Sequence, residues 1–386
     1  MRTQRATATL QLPRNGRKVA LGSVLAVLCM LAAACGGAAA GTSSPGSGTS
    51  SADKAGLAQA KAIVAAAAQR PTKLPITQAI GKPVPKGKTV AFISCGSPEC
   101  AQEGALIRQG TNALGWTLQV INTDASPQSE NAAFAQVVRE KLDVVLFSAI
   151  DRSTFSQYIP QLKANGTFVA GAYVTYNAGD GVGYTNETPP DISPVGHLQA
   201  AWVTSESGGT GNAVFINIPA YAILADMQSG FDSGLSAMCP KCTTHTLEVP
   251  NAAVGVNVPS LVVSYLRAHP QTKYVVASAD SLVVGLPAAL QAAGLTGIHV
   301  IGQAATGTNL QYIHDGQEGA SVALDYYYDL WALIDAAARH FAGVPQVPFV
   351  LPHLWLLTRQ NAPVTNNIFP VIATSQQQYE KLWGVS

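Results

Sequence analysis

The stretch Asp143-Val-Val-Leu-Phe-Ser-Ala149 decides the fold of this 386-residue chain. Its apolar residues are consecutive and do not alternate with polar ones, which indicates a strand that is covered on both faces. The earlier stretch Thr89–Ser94 has the same character. Helical segments separate the two, so the sequence predicts a parallel sheet with helices packed on both of its faces.

The surrounding sequence extends this pattern into an N-terminal lobe, which we expect to span residues 87–176. Two further strands are predicted at 117–121 and 168–173. Helices are predicted at 101–114, 126–141 and 153–164. Ser126 followed by Pro127 is typical of a helix start, because serine caps the first turn and proline at the first helical position has no N–H to satisfy.

The pattern restarts after a glycine-rich link at 177–184, and a C-terminal lobe is expected at 177–345. Its predicted strands lie at 213–218, 246–249, 274–277, 300–302 and 320–324. Its predicted helices lie at 193–206, before 238, and at 257–269, 281–293 and 327–341. An N-terminal helix with a proline-rich connector (53–86) and crossover strands with a C-terminal helix (346–386) complete the chain. The predicted fold class is α/β, with two doubly wound parallel-sheet lobes joined by a hinge.

Charge is sparse and unevenly distributed. Charged residues make up 12% of the sequence, and the formal net charge is +1; soluble domains average about 25% charged residues. Five of the 23 positive residues precede residue 19, where no acidic residue occurs. The other 18 positive residues and all 22 negative ones give the remaining chain a charge of −4. This sign, without a basic stripe, argues against nucleic-acid binding.

Residues 1–34 have the organisation of a secretory signal peptide, with a basic start, an apolar run and small residues before the cleavage site. The run at 19–34 is shorter than the ~20 residues that a membrane-spanning helix needs. The ending Leu31-Ala-Ala-Ala-Cys35 resembles the bacterial lipoprotein signal, which implies lipidation of Cys35 and anchoring at the outer face of the cell membrane. An ordinary signal peptide with an incidental cysteine is the alternative. Residues 35–52 are predicted to be a flexible tether.

The cysteines outside the signal peptide fall into a predicted lipidation site, Cys35, and two local pairs, Cys95 with Cys100 and Cys239 with Cys242. Outside the cytoplasm, such pairs are expected to form structural disulfides. The Cys-x-x-Cys spacing also occurs in redox sites, but there it begins a helix, whereas Cys239 follows an apolar helical stretch. A single zinc site formed by four cysteines is the alternative.

No motif of a known catalytic or cofactor site is found in the sequence. G-x-S-x-G, H-E-x-x-H and G-x-x-x-x-G-K-[ST] do not occur. Gly179-x-Gly181-x-Gly183 follows a strand, but no helix begins after it, so a hinge or crossover loop is favoured over a phosphate cradle. The seven histidines share no metal-ligand spacing. We therefore expect a ligand-binding protein with no metal, no cofactor and no enzymatic activity.

The order of these segments resembles the type I periplasmic binding proteins, the sugar-binding receptors of ABC transporters related to ribose-binding protein and to the ligand domains of LacI-type repressors. The resemblance covers residues 88–345 and rests on residues 143–149, 280–294 with 300–302, and Ile313-His-Asp-Gly316. It implies a small-molecule ligand in a cleft between the lobes and an ABC permease as partner. A signal peptide replaces the DNA-binding helices of a repressor, which excludes that function.

The ligand-contacting residues of the sugar-binding relatives are not retained. Where ribose-type proteins resemble one another in two aromatic residues, this chain has Ser97-Pro-Glu-Cys100. Positions where the family has charged or amide groups are occupied by Tyr173-Val174, Ala225, Ala279, Ala304 and Leu324. The loss of charge-assisted hydrogen bonds argues against an ordinary aldopentose or aldohexose as ligand.

Polar and aromatic residues near the predicted strand ends are the candidate ligand contacts. They are Ser94, Ser97, Tyr173, Tyr221, Asp280, Gln303, Asp325 and Tyr326, with Trp355 as a further candidate. Tyrosines with a few carboxylates and amides suit a flatter, less hydroxylated ligand, or a cationic one held against aromatic faces. For the tyrosines the alternative is core packing, and for Asp280 and Asp325 it is capping of the helices that follow.

The sequence thus predicts a monomeric, lipid-anchored solute-binding protein that delivers a small organic molecule to an ABC importer. A sensory receptor that presents its ligand to a membrane signalling partner is the alternative. An exported enzyme on the same scaffold would need a catalytic group, for which the sequence offers no candidate. A disulfide between Cys95 and Cys100 would stiffen the loop after the first strand, which could make an aromatic clamp dispensable.

Overall fold

The computed structural model describes residues 51–385. The predicted signal peptide, the lipidation site at Cys35 and nearly all of the predicted tether lie outside this range. Among the described residues, no helix combines the length and the apolar character that crossing a bilayer requires.

Within this range the chain forms two sheets covered by helices. The strands are β1 (Thr89–Ser94), β2 (Thr117–Asn122), β3 (Val144–Ser148), β4 (Phe168–Ala172), β5 (Tyr184–Asn186), β6 (Asn212–Asn217), β7 (Thr243–Glu248), β8 (Tyr274–Ala277), β9 (His299–Gln303), β10 (Ala320–Ala323) and β11 (Trp355–Leu357). The helices are α1 (Ser51–Ala67), α2 (Pro98–Ala113), α3 (Pro127–Glu140), α4 (Arg152–Phe155), α5 (Ile159–Asn165), α6 (Pro189–Glu206), α7 (Ile223–Met238), α8 (Val258–Ala268), α9 (Leu286–Ala292), α10 (Gly307–Asp315), α11 (Tyr326–Ala342) and α12 (Ser375–Trp383).

The N-terminal sheet has the strand order β2-β1-β3-β4-β5, and all of its strand pairs are parallel. Alternate residues of the central strands enter different apolar clusters. Phe92 and Leu146 belong to the cluster on the side of α2, whereas Ile93 and Phe147 pack with Phe134 of α3. Both faces of β1 and β3 are therefore buried, which explains why these strands are continuous apolar stretches in the sequence.

The C-terminal sheet has the strand order β11-β10-β9-β8-β6-β7. Strands β6 to β10 pair in parallel, and β11 closes the edge as an antiparallel partner of β10. Helices α6 and α7 approach closely, since a side chain at Gly196 or Gly230 would collide with the backbone of the other helix. The predicted fold class of two doubly wound parallel-sheet lobes is confirmed, and β11 is an antiparallel addition from the tail.

The division between the lobes differs from the predicted boundary after residue 176. Strand β5 lies in the range assigned to the C-terminal lobe, yet it pairs with β4, with Tyr184 opposite Ala170. Helix α11 lies in the same range but packs on α2, β4 and β5, where Trp331 Nε1 donates to the Leu106 carbonyl at 3.0 Å. Nearly all of α11 is buried, so its apolar pattern does not reveal which lobe covers it.

The two terminal segments pack together and span both lobes. Helix α1 lies on α6 and α7 of the C-terminal lobe, where Lys241 Nζ is 2.7 Å from Asp53 Oδ2. The proline-rich connector then runs along α12, and the Ile80 N–H donates to the Leu382 carbonyl at 2.9 Å. Because α12 packs on α11, the connector reaches the N-terminal lobe before β1 begins.

Several helices begin or break at unpredicted positions. Helix α6 begins at Pro189 and not at Ser193, because Thr188 and Asp191 form a reciprocal capping box at the earlier position. The helix predicted at 281–293 is divided into a single 3-10 turn and α9 by Gly285, which adopts a left-handed φ of 83°. The helix predicted at 153–164 is also divided, into α4, a 3-10 turn and α5.

Both predicted cysteine pairs are disulfides. Cys239 and Cys242 are joined just after α7, with Cα atoms 5.3 Å apart. Cys95 and Cys100 join the end of β1 to the first turn of α2, with Cα atoms 5.6 Å apart. Since all four sulfur atoms are in disulfides, the alternative of a four-cysteine zinc site is not supported.

Replacing Trp331 by alanine should destabilise the protein by about 3–5 kcal/mol, because truncation of a buried tryptophan leaves a cavity. The variant also loses the hydrogen bond to Leu106. Urea denaturation measures the free energy of unfolding. Trp331→Phe is the matched control and should cost clearly less, since it keeps a ring in place. A loss below ~1 kcal/mol for the alanine variant would contradict the central packing role of α11.

Candidate functional site

Two cavities lie where the carboxyl ends of the two sheets face each other. The smaller has a volume of about 70 Å³. Residues of the N-terminal lobe that line it are Cys95, Ser97, Glu99, Cys100, Glu103, Ser148, Ala149 and Tyr173. The other residues that line this cavity come later in the chain, after strand β5. They are Ile192, Ile218, Tyr221, Ile223, Leu224, Ala279, Gln303, Leu324 and Tyr326. Strand ends at this position form the usual ligand site of open α/β sheets.

The larger cavity, of about 360 Å³, shares Ala149, Tyr173 and Ile223 with the first. Its other lining residues are Ala125, Pro127, Glu130, Ile150, Asp151, Ser153, Thr154, Val174, Thr175, Ala220 and Ala222. We refer to the two cavities together as the interlobe cleft. Pockets for small organic ligands measure about 300–1,000 Å³, so the cleft has the size of such a pocket.

Five of the candidate ligand contacts line the smaller cavity. They are Ser97, Tyr173, Tyr221, Gln303 and Tyr326. Each follows or ends a different strand, so residues that are far apart in the sequence meet in one place. Ser94, Asp280, Asp325 and Trp355 line neither cavity.

Asp280 is buried inside the C-terminal lobe. This position agrees neither with a ligand contact nor with a cap of the helix that follows, the two roles considered from the sequence. Its Oδ2 accepts a hydrogen bond from Ser321 Oγ at 2.6 Å, and its backbone carbonyl accepts one from Asn309 Nδ2. It caps no helix, because α9 begins later, after Gly285. Burial raises the pKa of Asp280 to about 8, while the Ser321 hydrogen bond opposes that shift.

The other three residues outside the cleft have structural contacts. Asp325 caps α11, since its Oδ1 accepts from the Tyr328 N–H at 3.2 Å, and its Oδ2 accepts from the Ile372 N–H at 2.9 Å. This confirms the capping interpretation. Trp355 is buried in β11 with the Arg70 guanidinium 4.9 Å from its ring centroid. Ser94 is also buried, at the end of β1.

Tyrosine hydroxyls in the cleft form hydrogen bonds within the protein. Tyr173 Oη donates to Asp329 Oδ2 at 2.7 Å, and the Tyr173 ring meets Tyr326 edge to face with centroids 6.1 Å apart. Tyr221 Oη lies 3.3 Å from the Cys95 carbonyl of the other lobe. This hydrogen bond joins the two lobes directly across the cleft.

Two glutamates that no sequence motif identified, Glu99 and Glu103, line the smaller cavity. They stand one turn apart at the start of α2. Ser97 caps this helix by accepting from the Cys100 N–H at 3.1 Å, and the disulfide to Cys95 closes the loop before it. Their i, i+4 spacing directly after a predicted strand end is the signal that could have identified them.

Both glutamates are buried, with 8% and 1% of their surface exposed. Ser148 Oγ donates to Glu103 Oε1 at 3.3 Å, but Glu103 Oε2 and Glu99 Oε1 have no hydrogen-bond partner within residues 51–385. Burial raises the pKa of Glu103 to about 8; the Ser148 hydrogen bond opposes this shift, and the charge of Glu99 adds to it. In the larger cavity, burial raises the pKa of Glu130 to about 7.

Glu103→Gln should flatten the dependence of stability on pH. Folded Glu103 titrates at about 8 instead of 4.5, so between these values the folded protein holds a proton that the unfolded chain has lost. The free energy of unfolding therefore falls as pH rises through this window, by up to about 1.4 kcal/mol per pH unit for one group. Glutamine removes this contribution, and urea denaturation at several pH values across the window measures it.

The matched control is Glu206→Gln, which removes an exposed carboxylate at the end of α6. The free energy of unfolding of this variant should change with pH in the same way as that of the parent protein. If Glu103→Gln also runs parallel to the parent, the proposed protonation of Glu103 in the empty cleft is wrong.

Comparison with known proteins agrees with this architecture. A family model described as a periplasmic binding protein domain matches residues 94–344. No curated protein sequence matches the chain. Similar solved structures include a 5-methylthioribose transporter solute-binding protein from Thermotoga lettingae in complex with 5-methylthioribose. It is 16% identical, with 75% of this chain and 89% of that chain covered and a TM-score of 0.64.

Two other similar structures have comparable values. The Caulobacter myo-inositol binding protein, bound to myo-inositol, is 18% identical over 72% of this chain and 94% of that chain, with a TM-score of 0.63. A Mycobacterium smegmatis protein in complex with β-D-fucofuranose is 21% identical over 78% and 97%, with a TM-score of 0.60. At such identities the structural similarity establishes the fold, and the family model covers most of both lobes. The chain belongs to the periplasmic binding protein family and has its type I, two-lobed fold.

Proposed function

We propose that this protein is an extracytoplasmic solute-binding lipoprotein, which captures a small organic ligand between its lobes and delivers it to an ABC importer. The interlobe cleft carries the proposal, because strand ends of both sheets surround it, and it is lined by buried oxygen atoms that have no hydrogen-bond partner among the described residues. The family supports the proposal, since its members are solute-binding proteins. Hinged closure of the lobes would trap the ligand.

We infer the class of ligand from the ligands of the similar structures and from the residues that line the cleft. The similar structures contain 5-methylthioribose, myo-inositol or β-D-fucofuranose. The smaller cavity here is lined by tyrosines, isoleucines and leucines together with buried carboxyl groups. These groups favour a ligand that is less hydroxylated than a hexose and has an apolar or aromatic part.

Membrane attachment and the partner belong to the same proposal. Lipidation at Cys35 would hold a monomer at the outer face of the cell membrane, next to an ABC permease. No metal, cofactor or catalytic group takes part in this function. Among residues 51–385, no three His, Cys, Asp or Glu side chains are grouped in a way that could hold a metal ion.

A thermal-shift screen over pentoses, hexoses, polyols, nucleosides and small aromatic compounds tests the proposed function. A ligand present at 100 times its dissociation constant should stabilise the folded protein by ~2.7 kcal/mol. Substitution of Gln303 or Tyr326 by alanine should remove the shift, because both line the smaller cavity. A shift that survives both substitutions would place binding outside the smaller cavity and contradict its role in ligand capture.

The Cys95–Cys100 disulfide should matter for affinity. Serine at both positions frees the loop that precedes α2, so the glutamates and Ser97 lose their fixed placement. Ligand affinity should fall about tenfold, which corresponds to about 1.4 kcal/mol. Isothermal titration calorimetry with any compound identified in the screen measures this change.

The second disulfide is a matched control for the first. Serine at both Cys239 and Cys242 also removes a short disulfide, but this one lies outside both cavities. Its removal should leave affinity unchanged. Equal affinity of both double variants and the parent would refute a role of the first disulfide in binding.

A further inference from the structure

The ionisable side chains that line the interlobe cleft are all acidic. Glu99 and Glu103 line the smaller cavity, and Glu130 and Asp151 line the larger. No Lys, Arg or His occurs among the lining residues of either cavity. Arg152, a sequence neighbour of this lining, instead has its Nη1 3.5 Å from Asp180 Oδ2. An anionic ligand such as a phosphate or carboxylate would therefore meet repulsion and no counter-charge.

Several hydrogen-bond donors that line the smaller cavity are already used within the protein. Gln303 Nε2 donates to the Ser278 carbonyl at 2.7 Å. Tyr173 Oη and Ser148 Oγ each donate to a carboxyl oxygen. Tyr221 Oη has acceptors on both sides, the Cys95 carbonyl and Asn251 Oδ1.

Three buried side-chain oxygens of the cavity are free, and all three are acceptors once Glu103 has released its proton. Glu99 Oε1, Glu103 Oε2 and Gln303 Oε1 are buried without a hydrogen-bond partner among residues 51–385. All three side chains are more than nine-tenths buried and line the same cavity. Orphaned acceptors of this kind cost free energy until a donor reaches them. An ammonium group has three donors, no acceptor and a positive charge, so it complements this set.

The rest of the cavity suits an apolar body. Tyr173 and Tyr326 form an edge-to-face pair beside the carboxyl groups. Aromatic ring faces attract cations, and aliphatic side chains such as Ile218 and Leu324 line the same space.

We infer that the cleft selects a small organic cation, a protonated amine on a compact apolar or aromatic body, with its ammonium group held by Glu99, Glu103 and Gln303. This inference rests on the proposed solute-binding function and names the chemistry of its ligand. It differs from the neutral sugars and polyols in the similar structures.

Binding should also release a proton. Glu103 is faced by Glu99 from α2, Ser148 from β3, Tyr173 after β4, Tyr221 after β6 and Tyr326 of α11, none of which supplies a positive charge. The empty cleft therefore keeps Glu103 protonated at neutral pH, and an ammonium group would displace that proton. Amine affinity should rise up to tenfold per pH unit between about 6 and 8, while the amine itself stays protonated.

The test uses pairs of compounds that differ mainly in charge: phenethylamine with 2-phenylethanol, tyramine with tyrosol, putrescine with 1,4-butanediol, and glucosamine with glucose. Calorimetric titration of the protein should give at least tenfold tighter binding for the amine of a pair. Glu99→Gln and Glu103→Gln should each weaken that amine at least tenfold, and Glu103→Gln should abolish the rise of affinity with pH. Glu206→Gln is the control and should leave the affinity unchanged.

The outcomes separate this inference from the proposed function. Glutamine is isosteric with glutamate and carries no charge to bury, so both variants should stay folded, which thermal melting verifies. If a neutral compound binds in a Gln303-dependent manner and no amine binds more tightly than its partner, the charge selectivity is wrong but solute binding stands. The charge selectivity is also wrong if an amine binds equally well to both glutamine variants and to the parent. If no compound of either charge binds, the inference and the proposed function both fail.

Discussion

Burial of both faces of the parallel strands is the constraint on which the rest of the structure depends. Helices must then cover each face, and every connection returns the chain to the same edge of the sheet. All carboxyl ends of parallel strands consequently lie together. With two such sheets facing each other, the loops after the strands supply the cleft, and the strands themselves stay in the core.

The interior of this protein contains more carboxyl groups than positive charges to balance them. Glu187 and Asp329 form a buried pair in the N-terminal lobe, and Asp280 and Glu318 form another in the C-terminal lobe. Burial raises the pKa of all four groups, and the second carboxylate of each pair adds to the shift for Asp329 and Glu318. Sharing of protons between neighbouring carboxyl groups lets the fold tolerate them without a cation.

The sequence predicted the lobes well and the site only in part, for a physical reason. Continuous apolar strands are easily recognised, because burial on both faces leaves no room for polar residues. The sequence has no comparable pattern that shows whether a side chain after a strand faces the cleft or the interior of the lobe. Gln303 and Asp280 both stand at strand ends, yet one lines the cleft and the other points into the lobe. Glu99 and Glu103 reach the cleft because α2 begins at Pro98, inside the loop that the Cys95–Cys100 disulfide closes.

The three-residue strand β5 and the buried helix α11 illustrate the same limit for domain boundaries. A short strand leaves too little alternation to recognise, and a helix that is buried on nearly every side could be covered by either lobe. Tertiary contacts determine that both elements belong to the N-terminal lobe. Strand β5 pairs with β4, and α11 forms a hydrogen bond to Leu106 of α2.

Docking of α1 gives the two lobes unequal mechanical roles. Helix α1 begins at Ser51 and packs on α6 and α7. A force applied through the preceding residues would therefore act first on the C-terminal lobe. If the protein is anchored through Cys35 as proposed, that lobe would be the stationary base, and opening would be a swing of the N-terminal lobe. The glutamates of α2 then travel with the moving half, whereas Gln303 stays with the base. Each cycle of opening would expose the carboxyl groups of the two glutamates to solvent. Closure would then place them against a ligand bound to the C-terminal lobe.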